Sequence, residues 1–343
     1  MNNNIFVSIA TYRDDLCIRT INDLYLKAKF PNNIYLGICQ QNNNEIDMDC
    51  INNNSHIIKK YKDNIRIIRI PYYDAKGPIY ARYLCSSLID FNNEKYYLQI
   101  DSHSCFIKNW DIILINMIKE IIDKGLSKKP IISYYPKDIL VKDNKELDNI
   151  NIVPIIYNLD FNKNKKIFTL GTAIYTNTKG KYIKTQCATG GMIFSYSSLL
   201  KEVPFDPTLD YLFIGEEILN SIKFFTYGYD IFSPKINVIY HVYIRNDKPK
   251  YWNEKKIIFN DNKALNKVRY YLFNYNINNN NPYYNNYKLG TIRNINDYYN
   301  FLKIDINKYK KYLNKNNYLI LFLIILLILI IIRLIYFAFQ FFL

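Results

Sequence analysis

The sequence predicts an α/β protein with a mainly parallel central sheet flanked by helices, followed by a C-terminal transmembrane helix. Three observations lead to this fold class. Short apolar runs rich in β-branched residues alternate with segments of helical spacing, which is typical of βαβ units. Two of the apolar runs end in polar side chains that could bind a ligand. Residues 318–343 contain a single charge.

The predicted strands are short apolar runs, beginning with IFVSIA near the N-terminus. They lie at 5–10, 33–41, 65–72, 95–101, 130–135 and 189–195, and a last strand ends in YHVYIR at 240–245. Ligands of such sheets bind beyond the carboxyl ends of the strands. We therefore expect a site near Thr11, which follows the first strand, and near Asp101, which ends the fourth.

The predicted helices separate these strands and lie at 15–29, 78–88, 110–124 and 216–227. Asp14 is a suitable N-cap for the first helix, because its side-chain oxygen can accept from a free backbone N–H. Pro78 is suited to the first turn of the second helix, where its missing N–H does no harm.

The chain is expected to divide into three parts. Residues 1–245 form the folded domain, and the polar segment 136–166 is a surface insertion within it. Residues 246–317 form a basic C-terminal extension, and residues 318–343 form a membrane anchor. The length of this last segment fits a bilayer span of roughly 20 residues. A buried, uniformly apolar helix of a soluble protein is the alternative.

The charges around the apolar segment predict its orientation. Lysines precede residues 318–343 closely, and positive flanks face the cytoplasm. We therefore expect a single-pass, tail-anchored membrane protein whose folded domain faces the cytoplasm. Residues 242–317 carry a net charge of +10 out of +15 for the chain. Beside a membrane span, such a segment is expected to meet anionic lipid, so no nucleic-acid partner is expected.

The six cysteines form no CxxC pair. In a reducing compartment they are most simply interpreted as free thiols, several of them on apolar faces. A zinc site made of cysteines is therefore not expected.

Candidate metal ligands stand at the ends of two predicted strands. Asp101 and His103 end the fourth strand, and alternate residues of a strand share a face. His241 ends the last strand, so two of only three histidines lie at strand ends, while His56 is interpreted as a surface residue. A carboxylate with imidazoles suits Mn²⁺, and Mg²⁺ less well. The alternative for Asp101 and His103 is a helix cap beside a surface histidine.

Other polar residues could serve a phosphorylated ligand at this site. Arg82 and Arg245 could each bind diphosphate oxygens with two parallel hydrogen bonds, or be solvated surface charges. Glu216 and Glu217 could contact a sugar or stabilise positive charge at an anomeric carbon, or cap a helix. The pair 190–191 is either a close approach of backbone to ligand or a tight turn.

Common phosphate-binding loops are missing from the sequence. It contains neither a Walker A loop nor a GxGxxG fingerprint, which argues against a kinase-like or dehydrogenase function. A metal that binds a diphosphate would neutralise charge on a leaving diphosphate, which indicates a nucleotide donor.

Five motifs in order resemble glycosyltransferase family 60, the polypeptide α-N-acetylglucosaminyltransferases. The motifs are SIATYRDD (8–15), GPIYARYL (77–84), YYLQIDSHSCF (96–106), ATGGMIFS (188–195) and FIGEE with YHVYIR (213–245). The same order is similar to that of the mucin-type polypeptide N-acetylgalactosaminyltransferases, which also use an Asp-x-His triplet. The resemblance implies the nucleotide-diphospho-sugar transferase (GT-A) fold over residues 4–245.

The resemblance also implies a metal centre and catalytic residues. Mn²⁺ (or Mg²⁺) would be held by Asp101, His103 and His241, and the catalytic residues would be Asp101, Glu216 and Glu217. The implied nucleotide-sugar-binding residues are Thr11, Tyr12, Arg13, Arg82, Ser102, Gly190, Gly191 and Arg245. Of these, Thr11, Tyr12 and Arg13 would border the uridine. Arg82 and Arg245 would lie beside the diphosphate, and Gly190 and Gly191 beside the sugar.

The implied activity is a retaining transfer of N-acetylglucosamine (GlcNAc) from UDP-GlcNAc to a hydroxyl. The acceptor would be hydroxyproline, Ser or Thr of a protein, or a glycan. One alternative is a catalytically inactive, membrane-anchored protein that binds a sugar nucleotide or glycan. A second alternative, a basic nucleic-acid-binding protein, is supported only by the charge of 242–317.

Overall fold

The fold is seen in a computed structural model that describes residues 3–51, 55–141, 148–245, 248–254, 262–273 and 287–341. Within these ranges the strands are β1 (Ile5–Tyr12), β2 (Ile34–Asn42), β3 (Ile65–Pro71), β4 (Tyr96–Asp101), β5 (Ser104–Phe106), β6 (Pro130–Ser133), β7 (Lys137–Asp138), β8 (Ile152–Ile155), β9 (Leu159–Asn162), β10 (Ile167–Leu170), β11 (Ile174–Asn177), β12 (Ile183–Lys184), β13 (Met192–Tyr196), β14 (Asp230–Ser233) and β15 (Ile239–His241). The helices are α1 (Cys17–Lys27), α2 (His56–Lys60), α3 (Pro78–Ser86), α4 (Trp110–Asp123), α5 (Ser198–Glu202), α6 (Glu216–Thr226), α7 (Tyr251–Glu254), α8 (Asn262–Phe273), α9 (Ile295–Phe301) and α10 (Asn307–Phe341).

Eight strands form the central sheet, in the order β12-β14-β6-β13-β4-β1-β2-β3. The neighbours from β3 to β4 are parallel, as are β6 and β14. β13 is antiparallel to both β4 and β6, and β12 is antiparallel to β14. The α/β fold is thus confirmed, but the sheet is mixed. The chain enters β13 from a turn, without the crossover helix that usually precedes a parallel strand.

Both faces of the sheet are covered, which explains why its strands read as continuous apolar runs. In β1, Ile5, Val7 and Ile9 point into one hydrophobic cluster, which includes residues of α1 and α4. Phe6 points the opposite way, into a second cluster with residues of α6 and α8. All four side chains are fully buried. The period of two in a strand thus serves two cores at once.

A small sheet, β5-β15-β7, lies beyond the carboxyl end of β4. β15 pairs antiparallel with β5, so that His241 lies opposite Ser104. The strand predicted to end at 240–245 is therefore present but belongs to this small sheet. This pairing brings His241 close to the end of β4.

We expected the segment 136–166 to be a surface insertion, but the structure shows that part of it is buried. It contributes β7 to the small sheet, and β8 pairs with β11. Val153 and Ile155 of β8 are fully buried in the first hydrophobic cluster. Residues 142–147 lie outside the described residues.

The prediction that all cysteines are free thiols is wrong for two of them. Cys17 at the start of α1 and Cys50 after β2 form a disulfide, with Cα atoms 5.4 Å apart. The sequence separates them by 33 residues, and only the packing of α1 against this loop brings them together. The other four cysteines are free, as expected.

The membrane span predicted at 318–343 is not confirmed. The segment belongs to α10, but over the described residues none of the helices is sufficiently long and apolar to pass through a membrane. The side chains of 318–321 and 336–343 lie outside the described residues. The membrane location and its orientation stay predictions.

Candidate active site

A cleft of about 740 Å³ opens beyond the carboxyl ends of β1 and β4. This is where ligands bind to open α/β sheets. Every predicted site residue except Arg13 lines it, namely Thr11, Tyr12, Arg82, Asp101, Ser102, His103, Gly190, Gly191, Glu216, Glu217, His241 and Arg245. The structure thus brings together residues from six distant segments, while their chemical roles stay predictions.

The three predicted metal ligands face one another in this cleft. Asp101, His103 and His241 each offer one ligand atom, and these atoms lie within 4.8 Å of one another. His241 Nε2 lies 3.1 Å from Asp101 Oδ2, and the two imidazole rings are 4.4 Å apart between centroids. Both histidines are buried, whereas the side chain of Asp101 is 29% exposed toward the cleft.

This donor set fits a divalent cation. The two imidazoles and the carboxylate match the ligands that Mn²⁺ accepts. His241 Nδ1 is buried and has no hydrogen-bond partner among the described residues. A ring with one such unpaired nitrogen is costly in a protein interior, and a ligand is one way to satisfy it.

The environment sets the protonation states that metal binding requires. Burial alone would raise the pKa of Asp101, but the hydrogen bond from His241 and the charge of Arg82 hold that pKa below its usual range. Burial lowers the pKa of the His103 imidazole. The carboxylate is therefore ionised and the His103 ring neutral at pH 7, as a metal needs.

Arg82 connects the acidic residues of the cleft. Gly77, at φ +100°, makes the turn that precedes Pro78 and α3. Arg82 lies on the buried face of that helix and pairs with Glu216 at the start of α6. Its Nη2 also donates to Gly190 O at 2.9 Å and lies 3.5 Å from Asp101 Oδ1. Arg82 therefore ties α3, α6 and the glycine turn to Asp101.

Glu217 holds the other side of the glycine turn. Its Oε1 accepts from Gly190 N at 2.8 Å, and its Oε2 accepts from the Tyr135 hydroxyl at 2.7 Å. Burial raises the pKa of Glu217, and the two hydrogen bonds oppose this. Tyr135 follows β6 and was missed by the sequence reasoning. Its position after a predicted strand was the signal that could have revealed it.

The glycine turn approaches the metal ligands closely. A Cβ at Gly191 would lie 3.3 Å from Asp101 Oδ2 and 3.6 Å from Pro136 Cδ. A Cβ at Gly190 would lie 3.4 Å from Arg82 Nη2. The pair is thus a close approach as well as a turn.

Asp14 is a second residue that the sequence reasoning assigned incompletely. It is not the N-cap predicted for α1, because the cap residue is Leu16 and no side chain caps this helix. The Asp14 Oδ1 accepts from Leu16 N. Its Oδ2 accepts from His103 Nδ1 and Ser102 Oγ, both at 2.7 Å, and from Arg245 Nη1 at 3.0 Å. Burial alone would raise the pKa of Asp14, but these partners, His103 above all, lower it to about 2.

Arg13 is the predicted residue that the structure places elsewhere. Its positive φ of 49° turns the side chain out of the cleft, toward Asp47 at 2.7 Å and Glu254 at 2.5 Å. The Tyr12 hydroxyl also donates to Glu254, at 2.5 Å. The expectation that Arg13 borders a nucleotide is therefore not supported, since both carboxylates already occupy its guanidinium. Thr11 Oγ1 is buried in the cleft wall without a partner among the described residues.

A family model described as glycosyltransferase (GlcNAc) matches residues 4–60 and 49–308 of the sequence. The chain belongs to this glycosyltransferase family. The match includes every residue of the cleft described above. No curated protein matches the sequence.

Solved structures also resemble the chain, and GalNAc-T7 does so with a TM-score above 0.5. GalNAc-T7, solved with UDP, GalNAc and Mn²⁺, matches with a TM-score of 0.52 and 11% identity, over 89% of this chain and 58% of that chain. S. aureus TarS 1–349 in complex with UDP-GlcNAc matches with a TM-score of 0.41 and 14% identity, over 71% and 60% of the two chains. This chain thus spans less than two thirds of either protein. The likeness to GalNAc-T7 shows a GT-A-like fold, with a mixed central sheet and flanking helices.

Proposed function

We propose that this glycosyltransferase is a metal-dependent, retaining enzyme that moves GlcNAc from UDP-GlcNAc to a hydroxyl group. The acceptor would be hydroxyproline, Ser or Thr of a protein, or a glycan, as in family 60. The observation that carries the proposal is the position of Asp101, His103 and His241, whose ligand atoms lie within 4.8 Å in the cleft. The family description supports the sugar, and Mn²⁺ in the structure of GalNAc-T7 supports the metal.

The residues of the cleft have distinct roles in this proposal. Asp101, His103 and His241 hold Mn²⁺ or Mg²⁺, which when bound neutralises charge on the leaving diphosphate. Arg245 reaches the cleft on the same side as His241 and binds diphosphate oxygens. Arg82 positions Glu216 and the glycine turn beside the sugar.

The carboxylates on the sugar side support retention without a protein nucleophile. Glu216 is paired with Arg82, and both oxygens of Glu217 accept hydrogen bonds. We propose that neither acts as a nucleophile at the anomeric carbon. We propose that the leaving phosphate itself takes the proton of the acceptor hydroxyl.

The test is release of UDP from a panel of UDP-sugars by the full chain, with and without Mn²⁺. We expect UDP-GlcNAc to be the best donor and EDTA to abolish release. The variants His103→Ala and His241→Ala should each release UDP at least about 100-fold more slowly, since each lacks one proposed metal ligand. His56→Ala is the matched control, because His56 is exposed on α2, outside the cleft. Release that ignores Mn²⁺, or that survives both cleft variants, would contradict the proposal.

A second candidate is a binding protein without turnover. The observation that favours it is the engagement of both Glu216 and Glu217 by hydrogen bonds. Tight UDP binding by the full chain, with no UDP release from any UDP-sugar and acceptor panel, would support it over the enzyme.

A further inference from the structure

The carboxylate of Asp14 links three strand ends. Asp14 follows β1, Ser102 and His103 follow β4, and Arg245 follows β15. Three polar atoms lie within 3.0 Å of one oxygen, Asp14 Oδ2. They are Ser102 Oγ, His103 Nδ1 and Arg245 Nη1. Asp14 is 2% exposed, so its charge is balanced by these partners and not by water. The hydrogen bond from Leu16 N uses only the other oxygen, Oδ1, so this local turn does not account for the arrangement.

The contact to His103 fixes which ring nitrogen carries the proton. An ionised carboxylate is only an acceptor, so the 2.7 Å contact requires His103 Nδ1 to donate. The Ser102 hydroxyl does not compete for this nitrogen, because it donates to the same Oδ2 at 2.7 Å and lies 3.4 Å from Nδ1. In a neutral imidazole, Nε2 then carries the lone pair that a metal needs.

We propose that Asp14 is a positioning residue of the metal site, holding His103 as the Nδ1-protonated imidazole with Nε2 free to bind the cation. This inference rests on the proposed metal-dependent function. In this role Asp14 acts through His103 and is not itself a metal ligand. The same oxygen binds the guanidinium of Arg245 at 3.0 Å, so that Asp14 positions a diphosphate-binding residue and a metal ligand together.

The first test reads the tautomer in metal-free protein by long-range ¹H–¹⁵N NMR of ¹⁵N-histidine at pH 7.5. The chain has only three histidines, and His56→Ala and His241→Ala assign the spectrum. We expect Nδ1–H and an unprotonated Nε2 for His103 in the wild type. A wild-type His103 protonated at Nε2 alone would overturn the proposal, whether or not the enzyme is active.

The second test measures Mn²⁺ affinity of Asp14→Asn by calorimetry, without nucleotide. If the Asn oxygen keeps the hydrogen bond from Leu16 N, its amide N–H faces His103 Nδ1 and favours the wrong tautomer. We expect Mn²⁺ binding to weaken by about 10- to 100-fold, the usual effect of losing such a partner. Asp15→Asn is the matched control, because its carboxylate pairs with Lys248 at 2.7 Å, and should stay within about twofold of wild type.

The two tests separate the possible outcomes. Wild-type Mn²⁺ affinity in a folded Asp14→Asn protein would overturn the positioning role. If the Asp14→Asn protein fails to fold, the His103 tautomer of the wild type alone decides whether the proposal holds. Failure of the wild type to bind Mn²⁺ would overturn the proposed function, whereas the tautomer of metal-free His103 still shows whether Asp14 fixes that ring.

Discussion

Arg82 illustrates how single side chains organise this cleft. Its guanidinium contacts Glu216, Gly190 O and Asp101, and the residue is 5% exposed. A buried charge must be paired and hydrogen-bonded to be tolerated. The electrostatics of the cleft therefore depend on a few buried contacts, and small shifts of one group are transmitted to Asp101.

The close approach at Gly191 gives a prediction at this scale. Gly191→Ala places a Cβ 3.3 Å from Asp101 Oδ2, so the carboxylate must move by a few tenths of an ångström. We expect Mn²⁺ affinity to fall by about tenfold, as it does when the support of a ligand is disturbed. Gly190→Ala is the control, because its Cβ meets Arg82 and not Asp101. Equal Mn²⁺ affinities of both variants in calorimetry would contradict the prediction.

A buried lysine outside the cleft gives a pH prediction. Lys223 on α6 is 3% exposed, and burial lowers its pKa to about 8, with Lys267 adding to the effect and Asp206 opposing it. The unfolded chain binds more protons than the folded one between about pH 8 and 10.5, so stability rises with pH there. Below pH 8 the buried charge of Lys223 lowers the free energy of unfolding by its full amount, about 3 kcal/mol.

Lys223→Met should therefore stabilise the protein by up to about 3 kcal/mol at pH 7, and this advantage should shrink as the pH rises toward 10. Urea unfolding at pH 7 and pH 9.5 measures it. Lys59→Met, an exposed site on α2, should show no such dependence. A gain of the same size at both pH values would rule out the buried charge as its source.

The sequence was enough to place a residue in the cleft where that residue stands at the end of a predicted strand. Asp101 and His103 were recognised because they end an apolar run and share a face. Arg13 was misplaced because a positive φ of 49°, which the sequence does not reveal, turns it toward Asp47. Asp14 was wrongly predicted to cap α1, and the sequence does not reveal the contacts of its second oxygen.

At the scale of elements, the cluster of Asp101, His103 and His241 depends on one strand pair. β15 pairs with β5, which places His241 opposite Ser104. The Val242 N–H also donates to His103 O at 3.0 Å. This contact joins segments about 140 residues apart, as the His241–Asp101 separation shows. The end of the last strand was predicted, but not the sheet that it joins, because pairing partners so distant leave no local pattern in the sequence.

The disulfide between α1 and the loop after β2 gives a prediction for these elements. Cross-linking Cys17 and Cys50 closes a loop with a separation of 33 residues. The chain-entropy relation for such a loop gives about 4 kcal/mol of stabilisation. We expect dithiothreitol to lower the free energy of urea unfolding by about this amount.

The double variant Cys17→Ser, Cys50→Ser provides the control for that experiment. It should unfold as the reduced wild type does and be insensitive to dithiothreitol. If wild-type stability is unchanged by the reductant while thiol titration shows complete reduction, the disulfide does not stabilise the fold.

At the scale of the whole molecule, two cores hold the sheet and leave its carboxyl edge open. The alternation of apolar runs and helices was sufficient to predict an α/β fold, because both faces of such strands are buried. It was insufficient to predict the direction of β13, which depends on the path of the chain through 183–191 and not on apolar content. The burial of Val153 and Ile155 was hidden for a similar reason, since the polar residues around them dominate the segment 136–166.

The proposed metal centre unites these scales, because its three residues come together only where the ends of β4 and β15 meet. The most direct test is a crystal of the full chain grown with MnCl₂ and UDP, with an anomalous difference map recorded above the manganese edge. The account predicts one strong peak bonded to Asp101, His103 and His241, with UDP beside it and Arg245 toward the diphosphate. A peak bonded to other residues, or UDP in the cleft with no manganese at these three side chains, would contradict it.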